Sequence, residues 1–109
     1  MPVLETLSGA LYGFFEPPWA ESQWNPLSSP EQVFWLISEV RRRGWTGVDI
    51  IVLDTGVGYC TITGSQPMGW GSSGRRGRDT QETICLAVCL AVYDAILKVR
   101  MNENADSYS

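Results

Sequence analysis

The stretch from Asp79 to Val99 is the feature that most constrains the fold of this chain. It opens with a helix start signal, because Asp79 suits the N-cap and Glu82, three residues on, completes a capping box. From Ile84 to Tyr93 no side chain is charged or strongly polar. A helix that is apolar on all sides is normally buried on more than one side. Its alanine, cysteine and valine side chains let neighbours approach closely, so we predict the central helix of a small domain of helices and strands.

Size and charge limit the class of protein. A chain of 109 residues with 44% apolar content is sufficient for one domain with a modest core. The net charge of −4 argues against a general nucleic-acid binder, which is usually basic. The sequence contains no histidine, which removes the commonest general base and most zinc and iron sites. We therefore predict no cofactor and no nucleic-acid partner.

The three cysteines, Cys60, Cys85 and Cys89, form no disulfide framework pattern, which fits a reducing compartment. Cys85 and Cys89 have a spacing found in some metal sites, but Cys60 is the only other soft ligand, so we interpret all three as small buried apolar residues and predict no metal.

The apolar run 84–99 is too short to span a bilayer and includes Asp94 and Lys98. We expect a cytoplasmic protein without a signal peptide or a membrane partner.

Residues 1–28 form an aromatic N-terminal arm. Apolar spacing predicts a short helix from about Leu4 to Phe15, which Pro17 and Pro18 would end. Trp19 and Trp24 follow, and leaving them in water would be costly. We expect this arm to pack on the chain's own core, with packing on a second copy or on another protein as the alternative.

A second helix is predicted over Pro30–Arg43. Ser29 and Gln32 form a capping box, and proline is favoured at the first helical position. Gly44 suits the residue after the helix, and Trp45 can fold back on the last turn in a Schellman motif.

A β-hairpin is predicted next, with strands at 45–53 and 59–63 joined by a turn at residues 54–58. Gly64–Arg78 is predicted to be a long flexible loop, and residues 102–109 a disordered polar tail.

These elements predict an α+β fold. We expect residues 29–101 to form a small α/β/α sandwich, in which the antiparallel hairpin packs with helices Pro30–Arg43 and Thr80–Val99. A hairpin alone is marginally stable. The two helices must therefore sandwich it, or a further strand from the arm or a second subunit must extend the sheet. A homodimer is expected on this ground.

Three stretches resemble the phage ABA sandwich domain family, a group of small layered phage proteins. They are PLSSPEQVFWLISEVRRRG (26–44), VDIIVLDTGVGYCTI (48–62) and DTQETICLAVCLAVYDAI (79–96). The resemblance implies a phage or prophage origin and a layered fold. It implies no reaction and supplies no catalytic residues.

The best functional candidates lie in the glycine-rich segment before the last helix. Trp70, Arg75, Arg76 and Arg78 combine an aromatic ring with three positive charges on an acidic chain. Tryptophan and arginine are enriched at binding hot spots. We predict a non-enzymatic adaptor or inhibitor that binds a host or phage protein through these residues. A site for a nucleotide or another anion at Arg75–Arg78 is an alternative, and a solvated loop without a binding role is a second one.

Asp54-Thr55-Gly56 follows an apolar strand and resembles the motif of retroviral-type aspartic proteases, which are homodimers of short chains. The resemblance implies that Asp54 of two subunits would share one proton. Such a subunit needs many more strands than this sequence offers, and Asp-Thr-Gly is a favourable turn by itself. We interpret it as a turn and keep the protease as an alternative hypothesis.

Overall fold

The computed structural model of the chain describes residues 4–74 and 79–107, with side chains for 6–74 and 79–102. Within these ranges it contains three α-helices, a short 3-10 turn at Glu21–Gln23 and one antiparallel sheet of strand order β1-β2-β3. The elements are α1 (Leu4–Phe15), α2 (Pro30–Arg42), β1 (Gly47–Val52), β2 (Gly58–Thr63), β3 (Gly69–Ser72) and α3 (Thr80–Ser107). The predicted α+β class is confirmed.

Helix α3 is the middle layer of the domain. It packs on all three strands, most closely on β3 and β2, and it also contacts α1 and α2. Helix α2 makes a smaller contact with β1. The core runs through α3, where Val88, Cys89, Ala91 and Val92 are fully buried. The prediction of a central helix buried on more than one side is thereby confirmed.

Strand β3 lies inside the segment that we predicted as a flexible loop, and that prediction is wrong for residues 69–72. Gly69 and Gly71 rest directly on the backbone of α3. A Cβ at Gly71 would overlap the backbone nitrogen of Ala91 and lie 2.6 Å from the carbonyl oxygen of Ala87. Glycine in a strand often marks such a close approach of two backbones. The strand therefore forms because α3 presents alanines here.

The boundaries of α2 follow its local signals. Ser29 Oγ accepts a hydrogen bond from the backbone N–H of Gln32 (3.4 Å). At the other end the N–H of Trp45 donates to the carbonyl of Val40 (3.0 Å), and Gly44 has φ +112°. This is the predicted Schellman motif. The helix itself ends at Arg42, one residue before the predicted end.

The capping box at this helix is only half formed, because the Gln32 side chain binds the arm. Its Oε1 accepts from the backbone N–H of Asn25 (2.6 Å), and its Nε2 donates to the carbonyl of Gln23 (2.8 Å). The amide is buried, so both of its polar ends have partners. This side chain therefore anchors the arm to α2.

The arm packs on its own chain. The indole N–H of Trp24 donates to the carbonyl of Ser8 in α1 (2.9 Å), and Tyr12 Oη donates to the carbonyl of Trp19 (3.0 Å). The rings of Trp19, Trp24 and Trp35 have centroids 5.7–6.0 Å apart, joining the arm to α2. The first of the two alternatives for the arm is thus the observed one.

The two terminal predictions have different outcomes. Helix α1 spans the predicted Leu4–Phe15. Helix α3 continues to Ser107, where we predicted a disordered tail from residue 102. Methionine, glutamate and alanine in its last turns are good helix formers, which favours continuation of the helix.

The backbone contact between β3 and α3 predicts opposite effects for two glycine-to-alanine substitutions. Gly71→Ala should lower the free energy of unfolding by about 3 kcal/mol, because the new methyl group meets backbone atoms that cannot move aside. Gly9→Ala is the matched control, since a Cβ at Gly9 in α1 meets nothing within 4 Å. It should raise stability by about 0.5–1 kcal/mol through helix propensity. Urea unfolding followed by circular dichroism measures both, and equal effects would contradict the contact.

Candidate interaction surface

One face of the sheet points away from α3, and we call it the open face. Residues paired across antiparallel strands share a face. Cys60 and Ile62 of β2 are fully buried and point toward α3, so their neighbours along the strand point the other way. The register assigns the following residues to the open face: Asp49, Ile51, Tyr59, Thr61, Trp70 and Ser72.

Trp70 is the largest exposed side chain of the open face. Its exposed fraction is 52%, and its ring centroid lies 6.0 Å from that of Tyr59 on the neighbouring strand. Ile51 on β1 is 58% exposed. Trp70 points outward because the glycines on either side of it face the helix. Apolar and aromatic side chains exposed together on a rigid element are typical of a binding surface.

Side chains from α3 hold the outer edge of β3. The backbone N–H of Trp70 donates to Asp94 Oδ2 (2.9 Å). Lys98 Nζ lies 3.0 Å from the same oxygen and donates to the carbonyl of Met68 (2.9 Å). The backbone around Trp70 is therefore fixed from two directions, by the sheet and by α3.

The opposite edge of the sheet, along β1, is much less covered. Four consecutive apolar residues are exposed there: Ile50, Ile51, Val52 and Leu53. Ile50 and Val52 point to the α3 side but stay partly exposed because α3 lies mainly over β3 and β2, whereas Ile51 lies on the open face. The sequence predicts a strand over 45–53 but does not indicate which of its residues reach solvent.

Asp54-Thr55-Gly56 forms the hairpin turn at the end of β1, as predicted. The N–H of Gly56 donates to the carbonyl of Leu53 (2.8 Å), and the N–H of Leu53 donates to the carbonyl of Val57 (2.9 Å). Gly56 has φ +88°, the left-handed position that closes a three-residue hairpin loop. Asp54 and Thr55 are exposed. The tripeptide therefore has a structural role in closing the hairpin.

The predicted binding residues have unequal outcomes. Trp70 is exposed as expected. Arg75, Arg76 and Arg78 lie outside the described residues. The predicted N-cap after them is present, since Asp79 Oδ1 accepts from the backbone N–H of Glu82 (2.8 Å). The binding role of all four residues stays a prediction.

A groove of about 570 Å³ lies between α1, the arm and the start of α3. Tyr12 and Trp24 contribute rings to its wall, and Glu21 and Glu82 contribute carboxylates. No local sequence pattern marks this groove, because the residues that line it come from three separate segments. Its acidic lining suits a cationic group better than a phosphate. In the described part of the chain, no group of three or more potential ligands could hold a metal ion.

The three cysteines are free and buried, as predicted. Burial raises the pKa of Cys60 to about 12, and the nearby Asp49 carboxylate adds to this effect. Burial likewise raises the pKa of Cys85 and of Cys89. Since the thiolate is the reactive form, these residues behave as apolar core side chains.

Comparison with family models, curated proteins and solved structures gives no match for this chain. Among the residues that the structure describes, no helix is long and apolar enough to cross a membrane.

The buried thiols should resist alkylation while the protein is folded. At pH 8 the thiolate fraction of Cys60 should be about a thousandfold lower than for a thiol of pKa 9.0, because its pKa is about 12. Mass spectrometry after iodoacetamide treatment, with and without denaturing urea, measures the difference. Rapid modification of Cys60 in the folded protein would contradict this burial.

The same pKa shifts predict loss of stability in alkali. The unfolded thiols release their protons near their ordinary pKa, whereas folded Cys60 keeps its proton up to about pH 12. Above about pH 9 the unfolded state therefore binds fewer protons, and the free energy of unfolding falls as the pH rises. Thermal melts between pH 7 and pH 10 would test this, with Cys60→Ala expected to show a weaker fall.

Proposed function

We propose that this chain is a non-enzymatic protein-binding domain, an adaptor or inhibitor of phage type, that binds a host or phage protein through the open face. The observation that carries the proposal is Trp70, which is half-exposed on a strand whose backbone is held by α3. The resemblance to the phage ABA sandwich family supports the phage origin, and with it action in the host cytoplasm.

Energetic arguments favour Trp70 as the centre of the contact. A few large side chains usually supply most of the binding energy of an interface, and tryptophan and tyrosine are enriched among them. Tyr59 lies beside Trp70 and extends the apolar area. Thr61 and Ser72 add short hydroxyl side chains to the same face, which suit the polar contacts around an apolar centre.

Two further elements belong to the proposal. Arg75, Arg76 and Arg78 follow β3 closely in sequence, and in this proposal they pair with acidic groups of the bound protein. A homodimer is the second element. It is supported by the exposed apolar edge of β1, which a solitary domain would leave in water.

Trp70→Ser should abolish capture of the partner without unfolding the domain. Loss of a hot spot costs about 2 kcal/mol or more, which weakens binding by about 30-fold. The tagged protein would be used to capture partners from host lysate, beside Trp70→Ser and a variant in which Arg75, Arg76 and Arg78 are alanine. The affinity of the captured protein would then be measured by titration.

Phe34→Ser is the matched control, because Phe34 is 68% exposed on α2, away from the open face. It should bind the partner as the unmodified chain does. Equal binding of the partner by the unmodified chain and by Trp70→Ser would refute the hypothesis that the open face is the binding surface. Normal binding by the folded triple alanine variant would remove the arginines from the proposal.

A further inference from the structure

The hydrogen-bond pattern of the hairpin shows which backbone groups of β1 face outward. The N–H of Leu53 bonds to Val57. Because inward and outward residues alternate along an antiparallel pair, Asp49 and Ile51 also turn their backbone groups toward β2. The residues that alternate with these turn their backbone N–H and C=O groups to the free edge: Val48, Ile50 and Val52.

A second bond checks this assignment. Gly58 is the register partner of Val52, and its carbonyl accepts from the N–H of Ser73. Gly58 therefore turns its backbone groups toward β3, away from β1. Val52 consequently has its own groups on the outer side of the sheet.

Two of these three edge residues also have partly exposed side chains. Ile50 and Val52 pair with Cys60 and Gly58, so they point to the α3 side of the sheet. They are nevertheless 38% and 37% exposed, because α3 lies mainly over the other two strands. Backbone groups without a partner among the described residues and a partly exposed apolar stripe thus occur together on one strand.

Natural edge strands are usually protected against pairing by lysine, proline, bulges or a covering segment. Strand β1 has the sequence GVDIIV and pairs with β2 without interruption. Its only charge is Asp49. At the opposite edge, along β3, Asp94 and Lys98 of α3 instead form hydrogen bonds to the backbone of Trp70 and Met68. This asymmetry indicates that β1 is the edge left for pairing.

We propose that a second copy of this chain covers the edge. The two β1 strands pair antiparallel about a two-fold axis at Ile50, so that Val48 of each copy lies opposite Val52 of the other. The inference extends the homodimer of the proposed function by naming its interface and register. The product is a six-stranded sheet of order β3-β2-β1-β1-β2-β3.

A second copy offers the same free edge, and charge restricts the register in which two such edges pair. With Ile50 on the axis, each Asp49 lies opposite an apolar Ile51 of the second copy, and no like charges face each other. A register centred on Asp49 would place two carboxylates directly opposite, which is destabilising. A register centred on Ile51 would place Val48 against Asp54. Of the three registers compared, only the one centred on Ile50 keeps both aspartates away from a second carboxylate and from the opposing valines.

The proposed dimer has two geometric consequences. Both open faces lie on the same side of the six-stranded sheet, with the two Trp70 strands about 24 Å apart, given a strand spacing of about 4.8 Å. The two Asp54 residues lie about 27 Å apart, given a rise of about 3.4 Å per residue. Such a dimer presents two copies of the binding surface and keeps the carboxylates of the alternative protease hypothesis separate.

Ile50→Lys should convert the dimer to a monomer, because the two lysines, one from each copy, would lie next to each other on the two-fold axis. Sedimentation velocity of the full chain over a concentration series measures the mass, and the dimer dissociation constant should rise at least 100-fold. Phe34→Lys is the control for an added surface charge and should remain a dimer, as should Trp70→Lys on the open face. A monomeric unmodified chain, or a dimer that survives Ile50→Lys, would overturn the proposal.

Disulfide cross-linking tests the register. Opposed residues of a non-hydrogen-bonded pair have Cα atoms about 4.5 Å apart, which permits a disulfide. An Asp49→Cys variant mixed with an Ile51→Cys variant should form a cross-linked dimer on mild oxidation, while either variant alone should cross-link much less. Equal cross-linking in the unmixed samples, or none in the mixture, would overturn the register. A monomeric unmodified chain whose partner capture still depends on Trp70 would overturn this inference alone. A dimer whose partner capture does not depend on Trp70 would overturn the open face as the binding surface alone.

Discussion

The domain depends on the contact between the backbone of β3 and the backbone of α3. Gly69 and Gly71 supply no side chain, and Ala87 and Ala91 supply only methyl groups, so strand and helix meet with almost nothing between them. This contact determines which way Trp70 points. It also brings α3 mainly over β3 and β2, which leaves the β1 edge of the sheet partly exposed. The candidate surface and the free edge therefore share one cause.

Much of the fold could be predicted from local signals. Ser29, Gly44 and Asp79 act at helix ends through bonds to nearby backbone groups, and such bonds are readable from the sequence alone. Gly56 likewise closes the hairpin within its own turn. Strand β3 could not be predicted this way, because glycine and serine disfavour strands and the alanines that accommodate it lie on a helix some twenty residues further along. Here a tertiary contact overrides local propensity.

The candidate site was only partly predictable for the same reason. Trp70 was expected to be exposed because glycines surround it, and it is exposed, but the expected flexible loop is a fixed strand. Tyr59 and Ile51 join Trp70 on one face through the register of three strands, which composition does not encode. The sequence motif predicted a capping box at Gln32, but its side chain instead forms hydrogen bonds to the arm, which the motif could not indicate.

The bond between the Trp70 backbone and Asp94 has a consequence for the kinetics of recognition. A partner that docks here meets a backbone that is already ordered, so little conformational entropy is lost on association. Preorganised surfaces of this kind bind with little backbone movement. Differences in affinity among variants of the open face would then appear mainly in how long the complex lasts, while the rate of encounter changes little.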